Sequence, residues 1–141
     1  MTDRTATAVG PMDHVAVVVH SIADSAPRYE RLFGLGPAGP VIDLPLQGAR
    51  VCFIPTGPAP AARVELVEPT AEGTGLARFL ATRGEGLHHV CLRSADLPAD
   101  LDRLAAAEVE LINREPRPGA EGAVAFIHPH TLNGVLWELS S

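Results

Sequence analysis

Runs of strand-forming residues and amphipathic helical segments follow one another in a regular order along the chain. "MDHVAVVV" is a continuous β-branched run typical of a buried strand. "SIADSAPRYERLFGLG" predicts a helix, in which Pro27 is tolerated if it lies in the first turn and Gly34 and Gly36 act as stop signals. "ARVCFIPTG" and "ARVELVEP" predict a hairpin or meander, because Pro- and Gly-rich residues separate them.

The same order of elements begins again after a short helix. "TGLARFLATRG" predicts this helix, with Thr74 as its cap and Gly84 as its terminator. "LHHVCLRS" then predicts a strand, and "ADLPADLDRLAAAEVE" a helix with Asp96 near its cap. "VELINREP", "GAVAFIHP" and "GVLWELS" complete the pattern as strands. The sequence therefore predicts an α+β fold of two tandem βαβββ modules, forming one open eight-stranded mixed β-cup with helices outside.

The length of 141 residues favours a single compact domain. We expect a flexible N-terminal tail over residues 1–11 and one domain over residues 12–141. Within that domain, module one is expected over about residues 12–70, a linker helix over about 71–86 and module two over about 87–141.

Charge and composition narrow the classes of partner. The net charge is −6 and the basic residues form no stripe, so we expect neither nucleic acid nor a membrane surface as partner. No apolar run reaches the roughly 20 residues of a spanning helix, and the N-terminal segment lacks a signal-peptide pattern. These features predict a cytoplasmic protein, in which Cys52 and Cys91 are buried thiols and not a disulfide.

The internal repeat duplicates one histidine and one glutamate. "DHVAVVV" aligns with "HHVCLRS", and "RVELVEP" with "VLWELSS", so His14 corresponds to His89 (89 − 14 = 75) and Glu65 to Glu138 (138 − 65 = 73). Neighbouring strand residues face opposite sides, so His88 and His89 cannot both point into one site. The repeat selects His89, because it is in register with His14.

Two imidazoles and two carboxylates on four strands suit a divalent cation such as Co, Mn, Ni or Zn. His14, Glu65, His89 and Glu138 are therefore the predicted metal ligands. The remaining histidines, His20, His128 and His130, are interpreted as ordinary structural or surface residues.

The chain also resembles the vicinal oxygen chelate (glyoxalase/bleomycin resistance) superfamily and, within it, the methylmalonyl-CoA epimerase family. The similarity spans residues 12–140, and "RGEGLHHV", "EPRPGA" and "FIHP" are its most specific motifs. The resemblance implies the same four metal ligands, a homodimer, and an acyl-CoA or other thioester substrate. It further implies proton transfer at C2 of a 2-methylmalonyl group through an enolate that the cation stabilises.

Two positions depart from the family pattern. Val51 stands where some relatives carry a Glu proposed as acid or base, although other relatives also have Val. Glu138 is therefore the candidate base as well as a ligand, and Gln47 is a candidate for orienting the substrate. His130 stands where the family usually has Lys, and a neutral imidazole would hold an anionic ligand less firmly.

Other activities use a similar scaffold. A glyoxalase I-like enzyme would use the same four ligands on a glutathione thiohemiacetal. An extradiol dioxygenase needs two His and one carboxylate around iron, so the fourth predicted ligand weighs against it. A non-catalytic small-molecule-binding member would normally lack a full ligand set.

Overall fold

A computed structural model provides the structure of the chain, and residues 9–141 are described. This part contains three α-helices, which are α1 (Ile22–Phe33), α2 (Gly75–Arg83) and α3 (Leu97–Ala106). It also contains eight strands, which are β1 (Val9–Val18), β2 (Ile42–Leu44), β3 (Ala49–Pro55), β4 (Arg63–Pro69), β5 (Gly86–Ser94), β6 (Arg117–Pro118), β7 (Ala123–Ile127) and β8 (Trp137–Ser140).

The strands pair in both parallel and antiparallel fashion, and the predicted α+β fold with eight strands is confirmed. The chain divides into two compact units. The first spans His14–His88, and the second spans His89–Ser141 together with the start of β1 up to Asp13. Within residues 9–141, none of the helices has both the length and the apolar character needed to cross a membrane.

The first unit orders its strands β2-β3-β4-β1, with β1 parallel to β4 and the other pairs antiparallel. Helix α1 begins where the Ser21 side chain accepts a hydrogen bond from the Asp24 backbone N–H. It ends at Gly34, whose φ of 68° lies in the left-handed region that glycine adopts without strain. Its buried residues Ile22 and Ala26 belong to a core cluster with Cys52, Ile54 and Leu66 of β3 and β4.

The second unit orders its strands β5-β8-β7-β6, with β5 parallel to β8. Helix α3 begins where the Asp96 side chain accepts from the Ala99 backbone N–H, as the sequence predicted. Leu97 and Leu101 of this helix cluster with Ala125, Ile127 and Leu139 of β7 and β8. In both units, therefore, a helix packs against one face of the strands. Side chains at the alternate strand positions project from the opposite face.

Strand pairing around the two glutamates is the same in both units. Glu65 lies opposite Ala16 on β1 and Phe53 on β3. Glu138 lies opposite Cys91 on β5 and Phe126 on β7. Ala16 follows His14 by two positions, and Cys91 follows His89 by two. Each histidine is therefore offset from its glutamate by the same number of residues in the strand register, so the sequence repeat is also a repeat of strand pairing.

Some predicted boundaries were wrong. Strand β1 begins at Val9 and not at Met12. Residues 1–8 of the predicted tail lie outside the described residues. "VELINREP" is not a strand, and within it only Leu111 forms an isolated bridge, to Ile127. Pro116, the last residue of this segment, lacks a backbone N–H and cannot donate to a ladder.

Two further features of the first unit differ from expectation. Strand β2 is only three residues long and lies between Pro40 and Pro45, and the sequence pattern did not locate it. Pro27 lies inside α1, beyond its first turn. The resulting loss of one helical hydrogen bond is offset by the Ser21 cap and by burial of the helix face.

Candidate functional site

The first unit brings the predicted ligands His14 and Glu65 together. His14 projects from β1 and Glu65 from the adjacent strand β4, and both are almost fully buried, at 4% and 7% exposure. His14 Nε2 lies 3.6 Å from Glu65 Oε1. A buried carboxylate is costly unless a hydrogen bond, a positive charge or a metal ion compensates it.

The second unit repeats the arrangement with His89 and Glu138. His89 projects from β5 and Glu138 from the adjacent strand β8, at 6% and 7% exposure. His89 Nε2 lies 3.4 Å from Glu138 Oε1. Each unit thus presents one imidazole nitrogen and one carboxylate oxygen from parallel neighbouring strands.

The separation of the two donor atoms in each pair fits a shared cation. Two ligands that each lie roughly 2.0–2.2 Å from one ion are about 3.4 Å apart at a tetrahedral angle. A direct N–H···O hydrogen bond is shorter, with a separation of about 2.9 Å. The separations of 3.6 and 3.4 Å therefore match metal ligands, and nitrogen with oxygen donors suits the borderline divalent metals.

A phenylalanine ring supports each histidine, and the sequence interpretation missed both rings. His14 contacts Phe53 edge-on with centroids 5.3 Å apart, and His89 contacts Phe126 at 5.2 Å. The signal was present in the sequence, because each Phe precedes its glutamate by 12 positions (65 − 53 and 138 − 126) within "FIP" and "FIHP". A favourable edge-to-face contact restricts the imidazole to one orientation.

His88 lies in a different environment from its neighbour. Its ring contacts Phe79 of α2 at 5.1 Å between centroids, and Arg83 lies over the same Phe79 ring at 5.4 Å. His88 is therefore engaged with a helix of the first unit, whereas His89 lies beside Glu138. This placement is what strand alternation requires. The choice of His89 as ligand remains a prediction.

Val51 and Gln47 occupy contrasting positions. Val51 is buried on β3, two residues before Phe53 and therefore on the same face of the strand. Its partners in register are Ile42 and Val67, so apolar groups occupy the position where some relatives carry a carboxylate. Gln47 ends a short 3₁₀ turn before β3 and is exposed.

Both cysteines are buried free thiols, as predicted. Burial raises the pKa of the Cys52 thiol, and the negative charge of Glu65 raises it further. Burial and the charge of Glu138 raise the pKa of Cys91, while a hydrogen bond with the Ser140 hydroxyl opposes the shift. Neutral buried thiols are poor nucleophiles, so neither cysteine carries the chemistry.

Comparison with known proteins supports the resemblance inferred from the motifs. The profile of the glyoxalase/bleomycin resistance protein/dioxygenase superfamily matches residues 13–126. An ethylmalonyl-CoA/methylmalonyl-CoA epimerase of Cereibacter sphaeroides is 36% identical over 93% of this chain and 97% of its own length. The mitochondrial methylmalonyl-CoA epimerase of Dictyostelium discoideum is 31% identical over 93% of this chain and 78% of its own length.

Solved structures agree with the sequence comparison. The methylmalonyl-CoA epimerase of Mycobacterium tuberculosis superposes with a TM-score of 0.88 at 31% identity, over 99% of this chain and 91% of that one. A methylmalonyl-CoA epimerase in complex with methylmalonyl-CoA and NH4+ gives 0.85 at 29% identity, over 94% of each chain. Epimerases are isomerases, and the predicted enzyme class is confirmed at that level.

Proposed function

The chain belongs to the glyoxalase/bleomycin resistance protein/dioxygenase superfamily, and from this premise we propose that it epimerises methylmalonyl-CoA or a related 2-substituted malonyl thioester at C2. The main support for this proposal is the buried His–Glu pair that occurs once in each unit, with His Nε2 and Glu Oε1 separated by 3.6 and 3.4 Å. The names of the relatives support the substrate class, since one of them accepts ethylmalonyl-CoA as well as methylmalonyl-CoA by its description.

The proposed cofactor is one divalent cation per chain, held by His14, Glu65, His89 and Glu138. The two pairs offer equal donor sets, and their equivalence in strand register supports a common role. Co, Mn, Ni and Zn all accept nitrogen and oxygen ligands of this kind. When bound, the cation would supply Lewis-acid stabilisation of the negative charge that develops on the thioester oxygen.

Glu138 is the proposed base that removes the C2 proton. Its carboxylate is buried and lies 3.4 Å from His89 Nε2, which would place a proton acceptor beside the proposed ion. Val51 has no titratable side chain, so this position of the first unit offers no competing base. Gln47 is the proposed orienting group, because its amide N–H groups can donate to the thioester carbonyl or to the free carboxylate of the substrate. A proton from solvent water then adds to the opposite face of C2, and Glu138 returns its proton to solvent, which completes the epimerisation.

Comparison of Glu65 with Glu138 distinguishes the role of base from the role of metal ligand, because both are proposed ligands and only Glu138 is the proposed base. Glu65→Gln and Glu138→Gln should lower metal content to a similar extent, since each removes one charged ligand. Excess metal should restore proton exchange in Glu65→Gln only, because Glu138→Gln also lacks the base. Gln47→Ala should reduce turnover less than Glu138→Gln. Recovery of Glu138→Gln to the level of Glu65→Gln would contradict the assignment of the base.

The remaining parts of the proposal concern the substrate class, the assembly and the location. Metal-loaded protein that converts the thiohemiacetal of glutathione and methylglyoxal, yet leaves every malonyl thioester unchanged, would favour the glyoxalase I-like alternative. The homodimer predicted by family resemblance is tested by light scattering during gel filtration, where the 14.8 kDa chain should elute with twice its mass. The cytoplasm remains the predicted location.

A further inference from the structure

The second unit contains another cluster of metal-binding side chains. It consists of Glu110, His128 and His130, and it shares no residue with the His89–Glu138 pair. One ligand atom from each of the three residues lies within 4.8 Å of the other two. His130 Nε2 is 2.6 Å from Glu110 Oε2, a direct hydrogen-bonding distance that a shared ion would lengthen, and the rings of His128 and His130 are 4.0 Å apart between centroids.

The backbone holds Glu110 and His128 opposite each other. The His128 backbone N–H donates to the Glu110 carbonyl at 3.0 Å. Next to this contact, Leu111 and Ile127 form an antiparallel bridge. Side chains of directly opposed residues in such a pairing lie about 4.5–5.5 Å apart at Cβ. The two ligands are therefore positioned by the main chain and not by a flexible loop alone.

A short 3₁₀ turn, Pro129–Thr131, then brings His130 to the other two residues. The Thr131 backbone N–H donates to the His128 carbonyl at 3.1 Å and closes the turn. The His130 backbone N–H faces His128 Nδ1 at 3.3 Å, a long contact in which Nδ1 acts as acceptor.

We propose that Glu110, His128 and His130 form a second divalent-cation site, separate from the proposed catalytic one. Two imidazoles and one carboxylate match the preferences of zinc, nickel and copper. Glu110 and His130 are exposed and His128 is partly buried, so water completes the coordination shell. The sequence analysis interpreted His128 and His130 as ordinary structural or surface residues. The proposed site gives both a different role, because the backbone pairing places Glu110 opposite His128.

Equilibrium dialysis of the full chain against Zn²⁺, followed by elemental analysis, tests the proposal. The wild type should bind a weaker second equivalent of zinc. Either His130→Asn or Glu110→Gln should weaken that equivalent at least about tenfold, since loss of an outer-shell partner alone costs about 10–100-fold. His20→Asn is the matched control, because it removes an exposed histidine outside the cluster and should change nothing.

His89→Ala separates this site from the proposed catalytic one, since it should lose the tighter ion and retain the weaker one. Residual zinc in His89→Ala that disappears when His130→Asn is added would support the second site even if the catalytic proposal failed. A wild type with no second equivalent, or unchanged zinc binding in both His130→Asn and Glu110→Gln, would overturn the proposal. The altered side chains are exposed, so circular dichroism should show wild-type folding in both variants.

Discussion

Replacing the two supporting phenylalanines with leucine should weaken metal binding by similar factors. Phe53→Leu and Phe126→Leu each remove one edge-on contact with a ligand histidine, at nearly equal centroid separations of 5.3 and 5.2 Å. Such contacts contribute about 0.5–1.5 kcal/mol beyond burial. If this energy holds the imidazole in its binding orientation, its loss raises the dissociation constant about 2- to 12-fold, since about 1.4 kcal/mol corresponds to tenfold.

The two variants should differ in the stability of the metal-free protein. Arg63 lies over the Phe53 ring with its guanidinium carbon 4.0 Å from the centroid. Phe53→Leu therefore also removes a cation–π contact of about 0.5–1 kcal/mol. Urea unfolding of the two metal-free variants should show this excess loss in Phe53→Leu, whereas Phe126→Leu should lose less.

Phe79→Leu is the internal control, because it removes a comparable ring contact at 5.1 Å, but from His88. Competition for Co²⁺ with a chromogenic chelator should show wild-type affinity in this variant. The proposed role of the ring contacts in orienting the ligand histidines would be contradicted if Phe79→Leu weakened cobalt binding as much as Phe126→Leu does. It would also be refuted if neither Phe53→Leu nor Phe126→Leu altered affinity.

Three further predictions concern single positions. His89→Ala should lose bound metal whereas His88→Ala retains it, and elemental analysis showing the reverse would reject the register argument. Val51→Glu should raise the rate of C2 proton exchange, because it adds a carboxylate that can act as a base. It should also lower Tm, because that carboxylate is buried at a position only 2% exposed. An unchanged rate would argue against a missing base. Asp100→Ala should lower the free energy of unfolding in urea by about 1–3 kcal/mol, because it removes the buried acceptor of the Ser94 hydroxyl hydrogen bond. A loss under about 0.5 kcal/mol would contradict that role.

Local chemistry explains which elements the sequence predicted. The Thr74 side chain accepts from the Ala77 backbone N–H, and Gly84 ends the same helix with a φ of 76°. Both features depend only on residues within one or two turns, so a sequence motif reveals them. Strands β2 and β6 contain three and two residues, too few to show a hydrophobic period. Their existence depends on pairing with β3 and β7, which is tertiary information.

The same distinction applies to the site. His14 with Glu65 and His89 with Glu138 were predictable because the repeat places like residues at like positions on paired strands. The cluster containing Glu110 was not predictable, since residues 110 and 128 meet beside an isolated bridge outside any regular strand pair. A bridge of this kind leaves no period in the sequence. Its ligands therefore look like separate surface residues until the pairing is known.

The most direct test of the proposed function is deuterium exchange at C2 of methylmalonyl-CoA in D₂O. The protein is first stripped of metal and then assayed with and without added Co²⁺ or Mn²⁺, with Glu138→Gln as the inactive reference. We expect enzyme-dependent deuterium incorporation that requires the cation and is lost in Glu138→Gln. Incorporation at the same rate in the stripped protein, or none with any malonyl thioester after metal loading, would contradict it.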